Sequence, residues 1–200
     1  LGALPDDVRR VVVDRADGVP LFAEELARAV AEREAGAAVQ EVPGSLHDTL
    51  MARLDRHPDA KEIAQIAACI GRTLDHALLA AVTGLAEPEL MAALDELCAA
   101  GILECSGTPL GATYSFGHAL LRDVAYESLL RSRRRAIHRS VLAVLETAAG
   151  TPPEQLAHHA HGAEQWAKAM SHYGDAGAPP VVTTISAAAA RSSGRPMPRD

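Results

Sequence analysis

A histidine stands in the middle of the run Tyr114-Ser115-Phe116-Gly117-His118-Ala119-Leu120-Leu121-Arg122-Asp123-Val124-Ala125-Tyr126. Thr113 to Phe116 reads as a strand, and His118 to Leu130 reads as a helix. His118 therefore falls at the head of that helix. Helix N-termini carry unpaired N–H groups and partial positive charge, so they suit phosphate. An imidazole placed there can donate a hydrogen bond to a phosphate oxygen. A lone histidine beside an apolar helix face is also a common structural residue, so the remaining chain must be weighed with it.

Other residue types invite chemistry and are set aside. His158, His159, His161 and His172 suggest a metal, and His158 and His161 share a helix face. No Cys or carboxylate completes a tetrahedral set at a familiar spacing, so these are read as surface and packing residues and no metal is expected. Ser, His and Asp are present without a G-x-S-x-G elbow, which removes the motif-based case for a hydrolase. No G-x-x-x-x-G-K-[ST] sequence occurs, and no apolar strand ends in an acidic pair. By itself the chain is therefore not expected to be an enzyme.

Composition narrows the class. The 200 residues are 48% hydrophobic and 3% aromatic. Ala, Leu and Val dominate the apolar set, which favours packed helices. A net charge of −7 argues against general nucleic-acid or membrane binding. Cys69, Cys98 and Cys105 include no C-x-x-C pair and read as reduced cytoplasmic thiols. No apolar run reaches the ~18 residues of a membrane span, and no secretory signal opens the chain. The first residue is Leu1 rather than Met, which reads as a fragment of something longer.

The elements that must position these residues are mostly helical. Residues 5 to 16 form a first helix, ended by Asp17-Gly18. Pro20 opens a second, with Phe22, Leu26, Ala29 and Val30 inward and Glu24, Glu25 and Arg28 outward. Gly36 to Gly44 is a linker. Ser45 caps the next helix, with Asp48 in a capping-box position and a Leu46/Leu50/Leu54 stripe. Helices with Ile63, Ile66, Ala67 and Ile70, over 75–82, and over 88–100 follow. Residues 102–104 and 113–116 make a hairpin around the Ser106 to Gly111 turn. Leu90, Leu94, Leu97, Ile102, Leu120 and Leu121 should share one core.

From Arg133 a long helix presents Ile137, Val141, Val144, Leu145 and Ala148, with His138 on its exposed side. Arg131, Arg135 and Arg139 form a stripe at i, i+4, i+8, read as a solvated or intramolecular basic face. Helices from Thr151 through Leu156 and from Ala163 to Tyr173, the latter with Trp166, Ala169, Met170 and Tyr173 as its apolar positions, resemble one helical-repeat unit. Such a unit must lean on its neighbours. From Ala178 the helical period fails and a mobile tail is expected.

The run around His118 resembles the histidine motif that closes the winged-helix domain of STAND-type signalling ATPases. The likeness is to the bacterial branch, fused to class III adenylate cyclase or to LuxR-type regulators. Asp17-Gly18-Val19-Pro20-Leu21-Phe22-Ala23-Glu24-Glu25-Leu26 is similar to the family's Gly-x-Pro segment. Leu50-Met51-Ala52-Arg53-Leu54-Asp55 and Ala67-Ala68-Cys69-Ile70-Gly71 resemble its first winged-helix helices. Leu129 to Arg135 followed by His138 resembles the link into its repeats. Ala119 stands where plant and animal forms often carry aspartate. After Gly177 the family would continue with another helix, whereas this chain turns Pro-rich, which reads as truncation or a change of frame.

The resemblance implies a mainly α fold: a helical lid over 1–36, a winged-helix domain with a small β-hairpin wing over 44–131, the start of TPR-like helices over 133–177, and the tail over 178–200. It implies that His118 reads the diphosphate of ADP. It places Gly18 and Pro20 on the adenine side, with ATP or ADP held only together with a missing N-terminal P-loop domain of the same polypeptide. It leaves the helical repeats open to a protein partner. The alternatives are a DNA-binding winged-helix transcription factor and a helical interaction scaffold. The candidate recognition helix carries Glu87, Glu89, Asp95 and Glu96 and no basic residue, which disfavours DNA.

Overall fold

Apolar residues at three- and four-residue spacing lay down the helices, and turn residues end them. In the computed structural model, which describes residues 6–16, 18–31, 45–107 and 112–177, α1 (Asp6–Ala16) and α2 (Pro20–Ala31) come first. Gly18 joins them with a φ of +76°, a left-handed conformation that costs glycine little. Val12, Ala16, Phe22 and Leu26 close the hairpin as a small core. The expected linker over 36–44 and the tail over 178–200 lie outside the described residues.

α3 (Leu46–Asp55) starts as its capping box predicts. The Asp48 N–H donates to Ser45 Oγ at 3.1 Å, and the Ser45 hydroxyl donates to Asp48 Oδ2 at 2.7 Å. α4 (Pro58–Ile70), β1 (Thr73–Asp75), α5 (His76–Thr83) and α6 (Glu87–Ala99) follow. Next come β2 (Leu103–Ser106), β3 (Thr113–Phe116) and α7 (Ala119–Glu127). α4 is the hub: Ala60, Ile63 and Ala64 are buried, as is every residue from Ile66 to Ile70. It packs on α3, α5, α6 and α7, and small alanines let those helices approach.

The strands make a three-stranded antiparallel sheet in the order β1-β3-β2. Thr73 pairs with Ser115, and Leu103 with Phe116. The outer strand β1 was not expected. Three residues cannot show a period, and this strand exists because β3 offers it a ladder. Leu74, Tyr114 and Phe116 turn inward onto the helices.

Leu90, Leu94, Leu97, Ile102 and Leu121 lie in one buried core, as expected. Leu120 does not: it is 43% exposed. Consecutive helical residues point about 100° apart, so α7 can seat only Leu121, Val124 and Ala125 inward.

α8 (Arg131–Thr147) sends Ile137, Val141 and Leu145 into the same core, so the expected boundary near residue 132 falls inside shared packing. α9 (Pro153–Gly162) and α10 (Trp166–Asp175) then pack on α8 around Leu142, Ala160 and Ala169. The pair leans on the preceding structure through α8. Trp166 and Met170 stay outside, 55% and 58% exposed, because small Ala169 makes the close contact. Among the described residues no single helix is long and apolar enough to cross a membrane.

Candidate functional site

His118 is the residue immediately before α7, with extended backbone at φ −138° and ψ 140°. Its side chain makes no capping hydrogen bond, so the imidazole is not spent on its own helix. It lies on the surface and lines a cleft of about 430 Å³ together with Glu25, Arg28, Arg53 and Gly101. α2, α3, α6 with the turn after it, β2 and the turn before α7 thus meet.

Arg53 anchors one wall. It is 2% exposed, and its Nη1 donates to Glu25 Oε1 at 2.5 Å while Nη2 donates to the Ala100 carbonyl at 2.5 Å. Charge-assisted bonds of this kind hold a guanidinium in one orientation. The bond to Ala100 ties α3 to the turn that leaves α6. Glu25 is 3% exposed, so the expectation that it faces solvent is corrected: it is the buried counter-charge of Arg53.

Two glycines let the backbone turns approach these side chains. Gly101 has a φ of +65°, and a Cβ there would stand 2.9 Å from Arg53 Nη2 and 3.4 Å from Arg28 Nη1. Both guanidinium groups therefore converge on one stretch of bare backbone. A Cβ on Gly117 would lie 3.2 Å from the Gly101 carbonyl oxygen. The Gly117 N–H donates to the Ile102 carbonyl at 3.2 Å, which locks the turn before His118 to the start of the hairpin.

Arg28 and Arg53 balance Glu25 and Glu104 formally, and His118 adds an imidazole to the lining of the cleft. Cys98 also lines it, but burial, reinforced by Cys105 and Asp95, pushes its thiol pKa up, away from a nucleophilic thiolate. Gly18 and Pro20, expected on the adenine side, are exposed at the turn into α2 and are not among the cleft-lining residues. Their helix reaches the cleft further on, through Glu25 and Arg28.

No family model matches the chain. It is similar to an uncharacterized protein of Rhizobium meliloti (strain 1021), 30% identical over 158 residues. The match covers 73% of this chain, and the chain spans about 15% of that relative's length.

The basic run is partly spent inside the fold. Arg131 Nη2 and Arg135 Nη1 both donate to Glu164, at 2.6 and 3.1 Å. Arg133 pairs with Glu62, and Arg134 lies 4.9 Å over the Tyr126 ring. The intramolecular reading of that stripe therefore holds for Arg131 and Arg135.

Arg53 and Glu25 were legible but passed over. Arg53 is three residues past Leu50 and seven past Leu46, which is the spacing of the buried stripe. Glu25 follows Phe22 by three. A charge on an apolar stripe signals a buried partner. Which partner, twenty-eight residues away, only the tertiary structure decides.

His138 was expected on an exposed face and is instead 2% exposed. It lies across the α8–α9 interface from His159, with their Nδ1 atoms 3.0 Å apart. Of the histidines expected to be surface and packing residues, His158 is exposed and His159 is buried. His161 packs edge-on against Trp166, with ring centroids 5.1 Å apart.

Proposed function

We propose that this chain is the nucleotide-state-sensing portion of a STAND-type signalling ATPase, of the kind associated with adenylate cyclase or with transcription regulation. In this reading α1 and α2 belong to the helical lid. The region from α3 to α7 is a winged helix whose wing is the β2–β3 hairpin, and α8 to α10 begin TPR-like repeats. A P-loop domain of the same polypeptide supplies the nucleotide's main cradle in the cytoplasm.

The observation that carries the reading is convergence. His118, at the head of α7, opens into the same cleft as Arg28 and Arg53. An imidazole N–H, a guanidinium and a helix N-terminus are the donors that a diphosphate needs. The residues present therefore fit a phosphate end. The adenine end is not served by this cleft, so Gly18 and Pro20 belong to a surface completed by the P-loop domain. The acidic α6, with Glu87, Glu89, Asp95 and Glu96, supports this reading over direct DNA binding.

Because Arg53 ties the cleft wall to the turn after α6, a change in what His118 holds can reach both sides of the cleft. A switch of this type needs different contacts to ADP and ATP. His118 supplies them by donating to the diphosphate of the resting state.

The test uses the polypeptide that carries the P-loop domain. One hydrogen bond to a charged group contributes about 1.5–3 kcal/mol, roughly ten- to a hundredfold in affinity. His118→Ala should weaken ADP by that factor, leave ATP nearly unchanged, and raise output without stimulus. His47→Ala, on the exposed side of α3, should do neither. Calorimetry of both nucleotides decides: equal weakening makes His118 a general binding residue, and unchanged constants overturn the reading. The chain alone should not hydrolyse ATP above blank.

A further inference from the structure

The α8–α9 interface gathers three imidazoles. His138 comes from α8, and His158 and His159 come from α9. Their ring centroids are 5.2 Å apart for His138–His159, 5.7 Å for His138–His158 and 5.1 Å for His158–His159. One ring nitrogen from each lies within 4.8 Å of the other two. Imidazoles sharing a zinc ion through bonds of about 2.0–2.1 Å place their centroids roughly 5 Å apart. We propose that His138, His158 and His159 form a three-imidazole site for a divalent transition-metal ion of the zinc class.

Geometry beyond spacing supports this assignment. The Tyr126 hydroxyl lies 3.2 Å from His138 Nε2, which directs Nδ1 toward His159. A ligating histidine is usually held this way by its second nitrogen. Gly162 makes room for the ring: a Cβ there would meet His138 carbon atoms at 2.6 Å. His159 is fully buried, and its Nε2 has no hydrogen-bond partner. A single ion reaches only one nitrogen of each ring, and coordination through Nε2 would give this buried atom its partner.

Burial, aided by the neighbouring histidines, lowers the pKa of His138 to about 4 and that of His159 to about 3. Both rings are therefore neutral at pH 7, the form a metal needs. His158 is exposed and offers a path for the ion. Imidazole ligands suit zinc, copper, nickel and cobalt rather than magnesium or calcium. Three histidines leave a fourth position for water or an external ligand. No carboxylate belongs to the cluster, and Arg134 lies close enough to disfavour positive charge at His138. The site is thus weaker than a closed structural zinc site.

The reading differs from the sequence expectation because the deciding ligand lies twenty-one residues before His159, on another helix. The test uses the untagged, chelator-treated chain. Co²⁺ titration should give the visible absorption of a tetrahedral ion, and Zn²⁺ should abolish it at one equivalent. His158→Ala removes an exposed ligand and should keep the helical circular dichroism while weakening Co²⁺ at least roughly tenfold. Tyr126→Phe should weaken it by about 10–100-fold, the usual cost of losing an outer-shell partner. His161→Ala should leave affinity unchanged. Absence of the Co²⁺ band, or equal binding by His158→Ala and wild type, would overturn the site. Loss on His161→Ala alone would move the metal to the surface histidines and overturn it equally.

Discussion

The cleft beside His118 and the histidine cluster between α8 and α9 bury polar groups by opposite means. In the cleft wall, Glu25 and Arg53 are both 3% exposed at the side chain and bonded directly to each other. Charge is answered by charge. Between α8 and α9, His138 and His159 are just as buried, and burial keeps them uncharged. A guanidinium cannot shed its proton in a protein, so it must carry a partner inward. An imidazole can, so its neutral form is buried instead. The first arrangement fixes distant elements relative to each other. The second holds lone pairs ready for a ligand.

The largest effect is expected at Arg53. Arg53→Ala leaves the Glu25 carboxylate buried without its partner and should cost about 3–5 kcal/mol in urea unfolding. Replacing both residues with apolar ones of similar size should recover most of that loss. If the single variant is near neutral, the pair is not the anchor of the cleft wall.

Gly162→Ala tests the other region. The added methyl must displace the His138 ring, and overpacking of this kind costs about 1–3 kcal/mol. A smaller effect would show that α8 and α9 separate easily.

Acid should act on the histidine region. The unfolded histidines titrate near 6.5, while folded His138 and His159 resist protonation down to about 4 and about 3. Between those values the unfolded chain binds more protons than the folded one, so stability falls as pH falls. In chelator, the urea midpoint of wild type should therefore drop between pH 7 and pH 5. Arg53→Ala should start lower yet lose a similar amount over the same range. A flat wild-type profile would mean that these rings are not buried neutral.

The smallest effect serves as a reference. Gly174 lies inside α10 with open space where a Cβ would be. Gly174→Ala should stabilise by about 0.5–1 kcal/mol, because alanine loses less backbone freedom in a helix. Gly162 and Gly174 are both helical glycines, so opposite signs would separate crowding from propensity.

Much of the architecture was legible because its signals are local. Ser45 and Asp48 marked the start of α3, Gly18 marked the turn between α1 and α2, and leucine spacing marked the inner face of α6. Leu120 was misjudged because an apolar letter does not say which of two adjacent residues turns inward. β1 was missed because its pairing with β3 spans some forty residues. At the cleft, His118 was found from its position before a helix, while Arg28 and Arg53 were not, since nothing local ties them to it. His138 was placed on the wrong side because a polar letter on an amphipathic helix defaults to solvent.

By itself, then, the sequence determined which segments are helical, though not the ends of α8 or α9, together with most inward faces and the placing of His118 at a helix N-terminus. Those follow from backbone hydrogen bonding and side-chain period over a few residues. The tertiary structure alone decided that Glu25 meets Arg53, that Arg28, Arg53 and His118 share a cleft, and that His138 joins His158 and His159. Each of those meetings joins residues from different elements, and the packing of the helices, which no local pattern encodes, sets the distance between them.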